Sequence, residues 1–211
     1  MTGNKEDYIK AIYELGGQSN QVSNKSIAEA LNVSAPSVSE MIKKLLQEGY
    51  VEYTLYQGVK LTELGIKEAM RVRRKHLLWE VFLVEKLGYN WGDVDEEAER
   101  LEHATSEELE RKLDEYLNYP TICPHGTPII KDETVKITYK TLDTISIGEH
   151  IRVRRLTDIK ELLKYMDSLD LKIGDELKVV EKALYNGPIT LEKNGQQIII
   201  GLEAAKKIYV E

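Results

Sequence analysis

Residues 24–62, NKSIAEALNVSAPSVSEMIKKLLQEGYVEYTLYQGVKLT, decide the fold. Ile27, Ala28 and Leu31 share one face of a short helix, KSIAEAL, which Ser23 or Asn24 can cap. NVS makes a tight turn. A second helix opens on Ser34 as N-cap with Pro36 in its first turn, where a missing N–H costs nothing. Val38, Met41, Ile42, Leu45 and Leu46 form its apolar stripe, and Gly49 ends it. YVEYTLYQGVKLT then alternates as two short strands turning about residues 56–58. Helix, turn, helix and hairpin in this order predict a winged helix-turn-helix, a unit that lays its second helix in the major groove of DNA.

The start of that second helix faces the bases. Ser34, Ala35, Pro36, Ser37 and Ser39 stand there, with Glu40, Lys43 and Lys44 further on. Small hydroxyl side chains allow close approach and bond to bases or phosphates, and Ala35 and Pro36 suit a thymine methyl. Lys43 and Lys44 suit phosphates, as do Lys25, Ser26 and Lys60 of the wing. The plainer reading is a protein-docking unit whose serines serve only as helix caps.

Outward from this unit, residues 3–15 place Tyr8, Ile9, Ile12, Tyr13 and Leu15 on one side of a helix. After it, Thr62 caps a long helix, ELGIKEAMRVRRKHLLWEVFLVEKLG, that ends at Gly88. WGDVDEEAERLEHATSEELERKLDEYLNYP reads as another helical stretch, and Pro120, Pro124 and Pro128 break regular structure through residue 129. Residues 130–147 look like a polar tether. From Gly148, the runs IRVRRL, DELKVVEKAL, GPITLEKNG, QQIIIG and KKIYVE are β-type and separated by turns, with one helix, DIKELLKYMDSL, among them. They predict a small β-barrel over 148–211.

Composition narrows the class. No apolar run approaches the ~20 residues that span a bilayer, and the charged start MTGNKEDYIK lacks the apolar core of a signal peptide. One cysteine in 211 residues excludes an internal disulfide framework and suits a reducing cytoplasm. Net charge is −7, but it is unevenly spread. Residues 1–75 hold 11 Lys/Arg against 9 Asp/Glu, residues 76–125 hold 4 against 13, and residues 126–211 hold 14 of each. The DNA-reading unit is therefore slightly basic. The acidic middle repels itself, a strain that divalent cations relieve. A merely solvated acidic helix is the plain alternative.

That acidic middle also holds three of the four histidines and the only cysteine. His76 precedes Glu80 by four residues, and Glu99, Glu102 and His103 share a helix face. Cys123-Pro-His125-Gly sits in a turn that lets both ligand-type side chains face the same way. Glu80 lies in the apolar run LLWEVFLV, where a carboxylate needs a partner. His76, next to RVRRK, has phosphate as an alternative partner. Carboxylate and imidazole donors suit Mn²⁺ or Fe²⁺, while Cys123 pulls toward softer ions such as Zn²⁺. His150 reads as structural, and Asp7 by itself reads as a solvated aspartate.

NKEDYIKAIYEL, NVSAPSVSEMIKKL, LTELG, RKHLLWEVFL, EAERLEH and CPHG together resemble the diphtheria toxin repressor family of metal-dependent transcriptional repressors, over essentially the whole chain. The likeness is strongest to Gram-positive manganese sensors with an extra SH3-like domain. The resemblance implies a winged helix-turn-helix over 1–72 and a helical metal-binding and dimerisation domain over 73–129. It further implies a linker over 130–147 and an SH3-like, FeoA-type domain over 148–211. Two metal sites are implied: one from Asp7, His76, Glu99, Glu102 and His103, and one from Glu80, Cys123 and His125 closed by Asp158. Glu99 and His76 are candidates for bridging. Asp7 stands where the iron-sensing branch has Met, and a harder ligand favours manganese. The smaller manganese sensors have Glu where this chain has Lys10, and they lack Cys123 and His125.

The expected protein is thus a cytoplasmic homodimer, mainly α with a C-terminal β-barrel. It binds a palindromic double-stranded operator when loaded with Mn²⁺ or Fe²⁺, and Zn²⁺, Co²⁺ and Cd²⁺ are expected to fit the same donors in vitro. Its targets would be metal-homeostasis genes such as those of uptake, with no part played by a membrane. The first rival is a DNA-binding regulator with a purely structural zinc site. A second is a hydrolytic metalloenzyme, for which the chain lacks a nucleophile elbow, H-E-x-x-H and a phosphate loop. A third is a metal-independent regulator whose barrel binds a peptide or small molecule.

Overall fold

The computed structural model describes residues 2–130 and 138–211, in two compact units. One runs to His76 and includes Glu99–Glu110; the other comprises Leu77–Ala98 and Arg111–Glu211.

The first unit is built on α1 (Gly3–Glu14), α2 (Asn24–Leu31), α3 (Ala35–Gln47), β1 (Val51–Thr54) and β2 (Gly58–Leu61), followed by the first half of α4 (Glu63–Leu87). Capping follows the sequence closely. Ser26 N donates to Ser23 Oγ, Ser37 N to Ser34 Oγ, and Gly65 N to Thr62 Oγ1. Asn32 ends α2 in the left-handed region. Ile9, Ile12, Ile27, Val38, Leu45 and Val59 are fully buried together and form the core. Two expectations fail at its edge. Leu46 is 46% exposed because it lies one position past the face of α3 that meets the core, and Leu15 is 40% exposed because it is the C-cap beyond the end of α1.

The wing is an antiparallel hairpin, Val51 opposite Leu61 and Thr54 opposite Gly58. A third segment joins it, where Val22 and Val59 exchange backbone bonds of 2.7 and 2.9 Å. That approach dictates Gly58, which holds φ +113°; a Cβ there would sit 2.1 Å from the Val22 carbonyl oxygen.

In the second unit, the far half of α4 packs Leu77, Leu78 and Val81 with Leu113, Leu117, Cys123 and Ile129. The stretch read as one helical run divides into a 3₁₀ turn (Trp91–Asp93), α5 (Asp95–Ala104) and α6 (Glu107–Tyr116). The break at 105–106 has a local cause. Ser106 restarts the chain as an N-cap, its Oγ accepting from Leu109 N, and Thr105 Oγ1 turns back onto the Leu101 carbonyl.

The C-terminal part is an antiparallel sheet of β3 (Lys140–Thr141), β4 (His150–Leu156), β5 (Glu176–Lys182), β6 (Ile189–Lys193), β7 (Gln196–Ile200) and β8 (Ile208–Val210), in the order β3-β8-β4-β5-β6-β7. The expected closed barrel is an open sheet: among the described residues, the edge strands β3 and β7 do not pair. Bulges in β4 between Val153 and Arg155, and in β5 between Val179 and Glu181, bend it, but β3 is two residues long and offers little edge to close on. Met166 and Leu163 of α7 (Lys160–Ser168) and Ala205 of α8 (Leu202–Ala205) cover its core. Within the stretch read as a tether, residues 131–137 lie outside the described residues, and Leu142 is fully buried in this core. No described helix is long and apolar enough to cross a membrane.

Gly58→Ala is expected to cost on the order of 1–3 kcal/mol, from left-handed strain and a forced retreat from Val22. Gly49→Ala, at φ +79° with nothing within 4 Å of the new Cβ, should cost less. Urea denaturation of the two variants checks the order; equal losses would mean that the Val22 approach is soft.

Candidate metal centres

The first cluster grows from α1 and α5, both contributing to the first unit. One turn of α1 presents Glu6, Asp7 and Lys10, and α5 presents Glu99, Glu102 and His103. One donor atom from each of Asp7, Glu99, Glu102 and His103 lies within 4.8 Å of the others. His103 Nε2 is 2.7 Å from Asp7 Oδ1, while its Nδ1 is 2.7 Å from Glu6 Oε2. Arg71 holds Glu6 from the other side at 3.2 Å. Burial opposes a charge on this ring, but carboxylates on both nitrogens, Glu6 and Asp7, outweigh it and hold His103 above the ordinary histidine range, so a cation at Nε2 would take the place of a proton shared with Asp7. Asp7 Oδ1 is buried and makes no aligned hydrogen bond, which fits a position awaiting a cation.

Beside this group, Glu102 is fully buried and Lys10 almost so. Lys10 Nζ lies 2.6 Å from Glu99 Oε2, 2.9 and 3.1 Å from the Glu102 oxygens, and 3.2 Å from His76 Nδ1. His76 Nδ1 is also 2.6 Å from Glu102 Oε2. Burial opposes the charge on Lys10, but Glu102 and Glu99 outweigh it and hold the ammonium above the ordinary lysine range. Burial likewise raises the Asp7 carboxyl, against the pull of His103.

The second cluster lies wholly in the second unit. Glu80 of α4, Cys123 and His125 are all buried and offer donor atoms within 4.8 Å of one another. His125 Nδ1 is 3.3 Å from Glu80 Oε1 and 3.5 Å from Asp158 Oδ2. Nε2 of the same ring donates to the Trp91 carbonyl at 2.7 Å. That bond turns Nδ1 toward the carboxylates, where it is buried with no aligned hydrogen bond. The donors thus suit a divalent cation, with the thiolate favouring a softer one.

Three supports hold His125 in place. The Trp91 ring stacks on it at 6.0 Å, and Trp91 Nε1 donates to Asp167 of α7 at 2.6 Å. The His125 carbonyl accepts from Leu156 N of β4 at 2.9 Å. Gly126, at φ +81°, lets the turn lie against β4; a Cβ there would be 2.0 Å from the Arg154 oxygen. Asp158, two residues beyond β4, reaches the ring for the same reason.

Of the residues expected to bind metal, Asp7, Glu99, Glu102 and His103 converge in the first group and Glu80, Cys123 and His125 in the second. His76 stands beside the first group, against Glu102, and Asp158 beside the second, 3.5 Å from His125 Nδ1. His150 stands apart, exposed opposite Lys178 at the start of β4. Sequence reasoning passed over Glu6, Trp91 and Asp167. Glu6 had a signal, since it lies four residues before Lys10 on the helix that bears Asp7. The Trp91 link to Asp167 spans 76 residues and had none.

On the DNA-reading unit, Ser34, Ala35, Pro36, Ser37, Ser39, Glu40, Lys43 and Lys44 are all exposed, as is Lys25; Ser26 and Lys60 are half-buried. Lys44 pairs with Glu40 at 2.7 Å. The wing tip adds Leu55 and Tyr56, the latter 95% exposed. Large apolar side chains at a hairpin tip were a readable sign of a contact surface.

Residues 1–59 match the iron-dependent repressor N-terminal DNA-binding domain, and 62–131 match the iron-dependent repressor metal-binding and dimerisation domain. Residues 140–211 match the FeoA domain. The chain belongs to the iron-dependent repressor family. Among curated relatives, the diphtheria toxin repressor of Corynebacterium efficiens is 30% identical over 98% of this chain and 94% of its own length. The iron-dependent repressor IdeR of Mycobacterium tuberculosis is 39% identical over 59% of this chain, a match that spans about half (54%) of its own length. Among solved structures, the manganese regulator SloR superposes with TM-score 0.81 at 44% identity, covering 100% of this chain and 99% of its own. A manganese-dependent transcriptional repressor in complex with manganese gives 0.88 at 34%, covering 98% of each chain. These proteins are transcriptional repressors and regulators rather than enzymes, and the Corynebacterium efficiens repressor and the two solved structures match over nearly the whole chain.

Burial and Glu80 push the Cys123 thiol up. Burial alone would push His125 down, yet Cys123, Glu80 and Asp158 together hold it up at about 11. Burial raises Asp158 to about 7, although a third of its side chain meets solvent. Both Cys123 and His125 therefore hold protons at neutral pH, and a cation must displace them. Loading this centre is expected to release between about two and three protons near pH 7, from Cys123, His125 and in part Asp158, and to weaken as pH falls. Calorimetry in buffers of different ionisation enthalpy measures the release; a heat independent of buffer would remove Cys123 and His125 from the ligand set.

Proposed function

We propose that this chain is a metal-activated transcriptional repressor that controls manganese and iron homeostasis genes, such as those of metal uptake, by binding a palindromic operator as a homodimer. The supporting observation is the convergence of Asp7 with Glu99, Glu102 and His103. It joins α1, the helix that leads into the DNA-reading unit, to an acidic helix of the family's metal-binding and dimerisation domain. The functional parts are read as residues 1–72 for DNA, 73–129 for metal and dimerisation, 130–147 as linker and 148–211 as a strongly bent SH3-like unit.

A bound divalent cation supplies positive charge that donors on α1 and α5 share. The chain's own residues prepare that step. Lys10 already holds Glu99 and Glu102 near α1, Glu6 orients the His103 ring, and Arg71 anchors Glu6. What remains is to bring the Asp7 carboxylate to the same point, so cation affinity is spent on one arrangement of α1, which is how a ligand shifts a conformational population. In that arrangement two recognition helices of a dimer would lie about 34 Å apart, one turn of DNA. Ser34, Ser37 and Ser39 would meet base edges, and Lys43, Lys44, Lys25 and Lys60 phosphates. Manganese fits best, since Asp7 is a hard oxygen donor, with Fe²⁺ a second candidate. The relative ScaR has been solved with Zn²⁺ and with Cd²⁺, which supports in-vitro binding of softer ions, Co²⁺ included, here too.

An operator gel shift with Mn²⁺ titrated against a chelator should show DNA binding only with the metal; equal affinity in both conditions would refute metal activation. Asp7→Ala should raise the Mn²⁺ needed for half-maximal binding at least ~10-fold, a loss of about 1.4 kcal/mol. A structural zinc site would instead leave that midpoint unchanged.

A further inference from the structure

One carboxylate of α7 grips the segment that holds His125. Asp167 Oδ1 accepts from Trp91 Nε1 at 2.6 Å, and Asp167 Oδ2 accepts from Asn90 Nδ2 at 3.2 Å. The other end of the Asn90 amide caps the 3₁₀ turn, its Oδ1 accepting from Gly92 N at 2.8 Å. Lys160 and Lys164, also of α7, reach Asp93 at 3.1 and 3.7 Å. Gly92 is buried against the same helix, where an added Cβ would lie 3.4 Å from Leu163 Cβ. Four consecutive residues, 90–93, are thus seated on α7.

Between that helix and the imidazole stands one residue. Trp91 holds His125 twice: its carbonyl accepts from Nε2 at 2.7 Å, and its ring stacks on the imidazole with 29° between the planes. With Nε2 committed as a donor, Nδ1 is the nitrogen left to take an ion, and it faces Glu80 and Asp158. Trp91 is only partly buried where it packs on the sheet core, so the short, charge-assisted bond to Asp167 is what sets the plane of its ring. The other two donors are placed without this link. Glu80 stands on α4, and Cys123 N is bonded to the Thr127 carbonyl at 2.9 Å. The aim of His125 alone depends on it.

We propose that Asp167 is a positioning residue for the Cys123 cluster: through the Trp91 indole it fixes the carbonyl and the ring that keep His125 Nδ1 turned toward Glu80. It offers no donor to the ion itself. The C-terminal sheet domain thereby tunes the affinity of this centre from α7. Coupling of this kind is reciprocal, so an ion that immobilises His125 also tightens residues 90–93 on α7. The inference rests on the reading of Glu80, Cys123 and His125 as a metal centre.

Cys123 is the chain's only cysteine, so the thiolate-to-metal absorption that Cd²⁺ produces reports this centre alone. In titrations of the full-length chain with Cd²⁺ against a competing chelator, Asp167→Ala should weaken binding about tenfold, the low end of what losing an outer-shell partner costs. Trp91→Phe, which keeps a ring and the carbonyl but deletes the N–H, should do the same, and the double variant should lose no more than either. The His125 Nε2 proton, followed by NMR in the cadmium-loaded chain, should exchange with water faster in every variant. The urea midpoint of Asp167→Ala should move little, since Asp167 is exposed. Unchanged Cd²⁺ affinity in Asp167→Ala, or losses that multiply in the double variant, would overturn the proposal. Should Trp91→Phe not fold, Asp167→Asn, which keeps an oxygen for the indole, must lose less than Asp167→Ala; equal losses would overturn it. A lack of absorption in the unaltered chain would instead refute the metal reading of this cluster, and the inference with it.

Discussion

Carboxylates gathered out of water need positive charge close by, and that requirement organises this chain. Glu80 and Glu102 are fully buried. An isolated buried carboxylate is so costly that it must be matched or neutralised. The first unit meets the need with Lys10, Arg71 and two imidazoles. The second relies on a protonated His125, with Asp158 close to it.

Much of this was legible in the amino-acid order. The winged unit was readable because its signals are local: Ser23, Ser34 and Thr62 cap where caps are expected, and apolar spacing marks the helices. The convergence of ligand-type side chains was readable where a helix turn or a tight turn brings them together, as for Glu99, Glu102 and His103, or Cys123 and His125. Asp7 and Asp158 were not readable from spacing; they came only from family likeness, since tertiary folding alone brings them to their clusters.

Other features escaped for physical reasons that can be named. Leu46 fits the helical period but overshoots the face that meets the core, an error inherent in judging a stripe by period alone. The C-terminal strands alternated as a barrel would. Closure, however, depends on edge length and pairing, which alternation does not encode, and β3 is too short to meet β7. Glu6 acts through His103 rather than at the centre itself, and Trp91 acts through the ring it covers. Such supporting residues leave little trace in sequence because their partners are remote.

The turn at Gly126 has a consequence for how the C-terminal sheet relates to metal sensing. With the His125 carbonyl bonded to Leu156 and no room for a side chain against Arg154, turn and strand share one backbone seam. The sheet is therefore the rear wall of the Cys123 cluster rather than an appendage to it. A shortened chain ending before β4 would keep the thiol, the imidazole and Glu80 but lose the strand against which their turn is laid.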